Sequence, residues 1–167
     1  IMMGWLGKIE LAAHGITMQL AGLTFMFHVG LSQAATTLAG NAFGKKEDIT
    51  KLMEIAKATL VLTTIYAFFV ICLFITFPEF LLYLFLDKKL LFSSDILNLA
   101  IILLMFAAIF HLVDGLQASA LGLLRGIQDV QIPFMLALVS YWIFGIGSGY
   151  ILGFIIKVGS IGIWLGM

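Results

Sequence analysis

From Ile96 to Val113 the chain reads ILNLAIILLMFAAIFHLV, and the next residue is Asp114. Eighteen residues pass without Asp, Glu, Lys or Arg before that acid, and ten more separate it from Arg125. A helix needs about 18–20 apolar residues to cross the hydrocarbon of a bilayer. The stretch therefore predicts a membrane helix over 96–124 with one carboxyl group well inside it. Three further runs lack charged residues: Leu11 to Gly44, Ala58 to Pro78 and Val130 to Ile156. They predict helices over 11–43, 58–86 and 132–156, with 160–167 as the start of another. The expected fold class is an all-α membrane protein, a bundle of four transmembrane helices plus the start of a fifth.

The composition of the 167 residues agrees with lipid as the solvent. The chain is 62% hydrophobic and 11% charged, against roughly 45–50% and about 25% in ordinary soluble domains. Such apolar content excludes disorder. The formal net charge is zero, so nucleic-acid binding has no electrostatic basis. The single cysteine, Cys72, supports neither an internal disulfide nor a cysteine-based zinc site. The chain opens on Ile1 and closes within the apolar run Ile163–Met167. It is expected to be a piece of a longer protein.

Between the runs lie polar connections. Lys45, Lys46, Glu47 and Asp48 lead into a stretch to Lys57 that alternates charged and apolar residues, expected as an amphipathic helix at the membrane surface. The second helix, with few polar groups besides Thr59, Thr63, Thr64 and Thr76, is expected to face lipid. Pro78 is placed to kink or end it. Asp87, Lys88 and Lys89 form the next loop, and Ser94 or Asp95 suits the cap of the third helix. Gly40 and Gly44 make a small-xxx-small pair, and Gly145, Gly149 and Gly153 share one ridge suited to close packing. Two crossings separate loop 45–57 from loop 125–129, so both lie on one side. That side holds Lys45, Lys46, Lys51, Lys57 and Arg125, against Lys8, Lys88, Lys89 and Lys157 on the other. The positive-inside rule then favours loop 45–57 as cytoplasmic by a narrow margin.

Asp114 is the leading candidate for chemistry. An acid at a membrane-helix centre costs on the order of 2.5–3.5 kcal/mol on insertion scales and usually marks an ion or substrate path. His111 and Gln117 lie three residues to either side, on adjoining parts of one helical face. The three make a polar patch suited to a dehydrated cation or a proton relay, with too few ligands for a transition metal. Gln19 and Gln33 face roughly the same way and suit either the lining of a cavity or hydrogen bonds between helices. Tyr141, Trp142 and Tyr150 suit either interfacial anchors or the wall of a binding cavity. His14 and His28 read as packing residues. Nothing resembles a nucleophilic triad, a phosphate loop or a zinc motif, and Gly145-x-Gly147-x-Gly149 lacks the dinucleotide spacing. No enzyme and no cofactor is expected.

Several stretches together resemble the multidrug and toxic compound extrusion (MATE) transporters, and their NorM-like branch most. Leu11-Ala-Ala-His-Gly-Ile-Thr-Met-Gln19, Phe25 to Thr36 and Gly40-Asn-Ala-Phe-Gly44 look like the eighth helix of that family. Asp114-Gly-Leu-Gln117, Gly122-Leu-Leu-Arg-Gly126, Asp129 and Pro133 look like the tenth helix and its exit loop. Tyr141-Trp142, Gly145 and Gly149-Tyr150 look like the eleventh, and Gly162-Ile-Trp-Leu-Gly166 like the start of the twelfth. The resemblance covers nearly the whole chain, in order.

The resemblance implies a twelve-helix, two-lobe antiporter of the bacterial inner membrane. It would export organic cations or other drugs in exchange for Na⁺ or H⁺. Residues 1–167 would be most of its C-terminal lobe and would not transport alone. Loop 45–57 would be cytoplasmic. Asp114 matches the carboxylate of the tenth helix that takes part in cation binding. Its partner glutamate belongs to the seventh helix, which this chain lacks, as it lacks the N-terminal lobe. Glu10 follows that helix and does not replace it. Expected partners are small-molecule drugs, the coupling cation and the bilayer. Two rivals share parts of the pattern: a lipid flippase of the wider superfamily, which would want a large basic cavity, and a non-transporting membrane scaffold.

Overall fold

A computed structural model of the chain describes residues 2–85 and 94–166, and their regular structure is helical throughout. The helices are α1 (Met2–Leu6), α2 (Lys8–Gly44), α3 (Ile49–Thr76), α4 (Pro78–Tyr83), α5 (Ser94–Gly126), α6 (Gln131–Ile155) and α7 (Ser160–Gly166). Among the described residues, α3, α5 from Asp95 onward, and α6 are long and apolar enough to cross a membrane. α2 is longer still at 37 residues. His14, Gln19, His28, Ser32, Gln33 and four threonines dilute its apolar content, so it stands outside that set. The loop carrying Lys88 and Lys89 and the side chain of Ser94 lie outside the described residues.

Helix boundaries differ from the charge-free runs in ways the local chemistry explains. The stretch expected as a separate surface helix is the opening of α3 itself. Its charged residues Lys51, Glu54 and Lys57 are exposed, and Lys51 pairs with Glu54 at 3.1 Å. α3 then stops at Thr76, where the sequence reading carried a helix on to 86. Phe77 leaves the helical region (φ −127°, ψ 45°) and Pro78 begins α4, since proline has no N–H to continue the ladder but fits a first turn. Asp95 in the first turn of α5 and Arg125 in its last complement the helix dipole.

α2 and α5 end alike. Lys46 (φ 54°) and Gln128 (φ 66°) take the left-handed conformation. Glu47 N–H then reaches back to Ala42 O at 3.0 Å, and Asp129 N–H to Leu124 O at 2.9 Å. Both are Schellman closures, satisfying carbonyls that the helix end leaves open.

The chain forms two compact units. One comprises Gly22–Cys72 and Ile109–Met135, and the other Ile1–Ala21, Leu73–Ala108 and Leu136–Met167. The core of the first is built on small and polar residues: Ala35, Ala39, Ala42 and Ala67 are buried with His28, Ser32, Thr63, His111 and Ser119. Here α2 and α5 run parallel, because His28, Ser32, Thr36 and Gly40 meet His111, Ala118, Gly122 and Gly126 in the same order. The second unit has a more apolar core, with Phe74, Leu82, Leu103 and Leu104 fully buried. Within it α6 departs from a regular α-helix. Residues Ser140–Gly145 and Ile151–Ile155 are wound with the wider π turn.

Candidate functional site

In the first unit, α2, α3 and α5 meet along a polar seam. Ser32 Oγ donates to Ala118 O at 2.6 Å and Thr36 Oγ1 to Gly122 O at 2.8 Å. From α3, the Thr63 hydroxyl bonds the Ser119 hydroxyl at 2.5 Å. Glycine makes these approaches possible. A Cβ on Gly122 would lie 3.0 Å from the Ser32 carbonyl carbon, and one on Gly126 would lie 2.7 Å from Thr36 O and 3.0 Å from Gly40 N. In hydrocarbon, where no apolar burial drives helices together, such close backbone approach and hydrogen bonding are what hold them.

At one end of this seam sits a histidine pair. His28 Nε2 and His111 Nε2 are 3.2 Å apart, with ring centroids at 4.7 Å. His28 is 0% exposed and His111 3%. Gly115, one turn beyond His111, gives the His28 ring its room: a Cβ there would lie 2.7 Å from His28 Nε2 and 2.8 Å from Nδ1. Tyr66 of α3 closes the pair, its ring 5.1 Å from that of His28 and 6.0 Å from that of His111. The Tyr66 hydroxyl donates to Thr24 O at 2.9 Å, and Phe27 stacks on its ring at 3.9 Å.

Asp114 lies three residues past His111 but points elsewhere. It is exposed and makes no hydrogen bond or ion pair with a described residue. The patch expected of Asp114, His111 and Gln117 is therefore divided: His111 turns inward to α2, Gln117 is half-buried, and Asp114 faces out. Gln19 and Gln33 are exposed on α2. Tyr141, 55% exposed, stands in the first wide-turn stretch of α6. His14 meets the Trp164 ring edge-on at 5.7 Å. Among the described residues, no three of His, Cys, Asp and Glu gather as a metal-ligand set.

Sequence reasoning left His28, Thr63, Tyr66, Ser32, Thr36 and Ser119 without a role in a common site. Their spacing held a signal. Ser32 and Thr36 recur at four residues on α2, as do Thr59 and Thr63 on α3. On α5, Gly115, Ser119, Gly122 and Gly126 form a small-residue stripe ready to receive them. The threonine face of α3 turns inward, while Val61, Leu62, Ile65, Phe68 and Phe69 are exposed.

Comparison with known proteins accounts for nearly all of the chain. The MatE family model matches residues 1–151. A "Probable multidrug resistance protein NorM" of Agrobacterium fabrum (strain C58) is 43% identical over 99% of this chain and 36% of its own length. Proteins with the same description from Rhizobium meliloti and Synechocystis sp. are 40% and 32% identical, over 99% and 98% of this chain and 35% of their own lengths. The chain thus spans about a third of the length of the curated relatives it matches. With its apolar helices and its glycine-lined seam, and with the family match running from α1 into α6, the chain belongs to the MatE family.

Proposed function

We propose that this chain is part of a multidrug efflux antiporter in which Asp114 takes the coupling cation, Na⁺ or H⁺. One observation carries the reading: in a MatE-family chain, the acid within the α5 membrane run is exposed and makes no bond to a described residue. A carboxylate left in that position needs a cation, a proton or a polar cavity to offset its desolvation. Gln33, exposed on α2 in the same unit, is suited to line such a cavity once the rest of a longer protein encloses it. Na⁺ or H⁺ at Asp114 would favour one packing of the helices and drug the other, which yields exchange by differential affinity. The setting is a bacterial inner membrane, with the loop at Lys45–Asp48 on the cytoplasmic side.

The test is Asp114→Asn in the full-length protein carrying this chain. Membrane abundance is expected to hold, because a charge is removed from a membrane helix and the amide keeps the shape. Cation-driven drug efflux is expected to fall to background. Retained efflux at normal abundance would remove Asp114 from the mechanism. Lost abundance would make it a structural acid whose partner had been stranded. The sidedness has its own check: a cysteine at Glu47→Cys should resist impermeant labelling from outside intact cells, and ready labelling would invert the topology.

A further inference from the structure

The α2–α5 pair has an open flank whose residues differ from those of a surface made for lipid. Each residue advances about 100° around an α-helix. On α5 the seam with α2 is marked by Gly115, Gly122 and Gly126. Ser119, which meets Thr63 of α3, lies to one side of that line. Asp114, about 140° round from Ser119, lies to the other. On α2 the seam is marked by Ser32 and Thr36. Phe27, stacked on Tyr66 of α3, lies to one side, and Gln33, about 120° round from Phe27, to the other. Asp114 and Gln33 therefore share the flank that α3 leaves uncovered.

Two more groups carry that flank toward the helix ends. Arg125 is exposed and lies 11 residues past Asp114, which is three turns, so it stands on the same side about 16 Å further along. Its Nε donates to Leu121 O at 3.2 Å. Ser32 meets Ala118 and Thr36 meets Gly122, so their neighbours Gln33 and Thr37 fall at levels between Asp114 and Arg125. Both are exposed. Thr37 Oγ1 donates to Gln33 O at 3.1 Å, and the Gln33 side chain makes no hydrogen bond with a described residue.

The outward face of α3 is the contrast. Val61, Leu62, Ile65, Phe68 and Phe69 are exposed there with Cys72, and no charged residue falls between Ala58 and Cys72. That surface suits hydrocarbon. The open flank does not, because an unmet amide, a carboxylate and a guanidinium are each costly in lipid. Three turns hold Asp114 and Arg125 too far apart to pair with each other. A covering helix would need a partner for every one of these groups, whereas water satisfies them all.

We propose that this flank lines a water-filled path from Asp114 to the membrane surface at Arg125 and the Lys45–Asp48 loop, and that the coupling cation moves along it. The use of the path by a cation rests on the reading of Asp114 given above. The fixed charges give the path a polarity: Asp114 draws cations to its inner end, and Arg125 at its mouth slows their entry from that side.

The experiment is cysteine accessibility in the full-length protein carrying this chain, with its other cysteines replaced by serine, in liposomes. Gln33→Cys, Thr37→Cys and Leu121→Cys are made one at a time, Leu121 lying two turns past Asp114. A further version keeps Cys72 alone as the apolar-face reference. An impermeant cationic methanethiosulfonate is added to either side, with and without Na⁺, and unreacted thiol is measured by mass spectrometry. The three positions should react from the side of Lys45–Asp48 about tenfold faster than Cys72, since a thiol in an apolar setting stays protonated and unreactive. At Gln33→Cys the cationic reagent should outpace an anionic one of similar size, and Asp114→Asn should shrink that preference about threefold. Arg125→Gln should raise the cationic rate by about the same factor. Rates no faster than that of Cys72 in every condition would overturn the path and mean that another helix covers the flank. Reaction from the opposite side alone would overturn its direction. Leu121→Cys keeps the path testable if a change in α2 fails to fold. Efflux that survives Asp114→Asn would sink the coupling role of Asp114 and leave the path standing, whereas unreactive cysteines would remove the path and leave that role standing.

Discussion

Two helix contacts in this molecule are close, and they are closed by different means. In the α2–α5 seam, α5 glycines face hydroxyl side chains of α2, with glycine against glycine at Gly126 and Gly40, and Ser32 and Thr36 reach the carbonyls of Ala118 and Gly122. In the α6–α7 contact, glycine lies on both sides. A Cβ on Gly162 would lie 2.7 Å from the Leu152 carbonyl carbon, and one on Gly166 would lie 2.5 Å from Gly149 Cα. A hydroxyl bond there runs from Ser148 Oγ to Gly166 O at 2.7 Å. Hydroxyl bonds have direction and fix register, whereas glycine faces give proximity without it. The seam reads as a fixed joint. The α6–α7 contact, beside two wide-turn stretches of the kind often found at functional sites, reads as one that can adjust.

The largest effect should come from filling the seam. Gly126→Ala sets a methyl against backbone from α2, and overpacking of this kind typically costs about 1–3 kcal/mol. Thermal unfolding in detergent should show it as a clear loss of stability, with Gly122→Ala close behind. Gly166→Ala meets backbone closer still, but α7 has only seven residues and can shift as a short segment. Its loss should be visibly smaller than that of Gly126→Ala; an equal loss would erase the distinction between the two contacts.

Removing single hydroxyl bonds should cost less. Interhelical hydrogen bonds in membranes average about 0.6 kcal/mol and reach about 1.7. Ser32→Ala should fall in that range. A double-mutant cycle of Thr63→Val with Ser119→Ala should return a coupling near its lower end, and zero coupling would remove that bond from the account. The smallest changes belong to glycines with open space around them. Gly22 and Gly147 have nothing within 4 Å of a Cβ. Alanine there should leave stability unchanged or raise it by up to about 1 kcal/mol, because glycine is a poor helix former. A marked loss at either position would mean that another helix covers that face.

The α5 run and its acid were legible from the charge pattern, because lipid penalises charge so strongly that its absence over about twenty residues has few other meanings. The end of α3 was less legible. The apolar run continues past Pro78, and hydropathy has no term for the N–H that proline lacks. The division of the Asp114 patch could not be read either: three residues along a helix places groups on neighbouring faces, but which face turns to another helix depends on that helix.

The sequence by itself determined the helices, the lipid environment, the family resemblance and the singular position of Asp114, since each follows from local composition or from motifs in order. The tertiary structure decided that His28 and His111, 83 residues apart, share a bond, that Tyr66 closes them in, and that Asp114 faces away. Those facts hang on the parallel register of α2 against α5. That register is set by where glycine leaves room for a hydroxyl or an imidazole to meet backbone, a property of two surfaces together that neither helix carries alone.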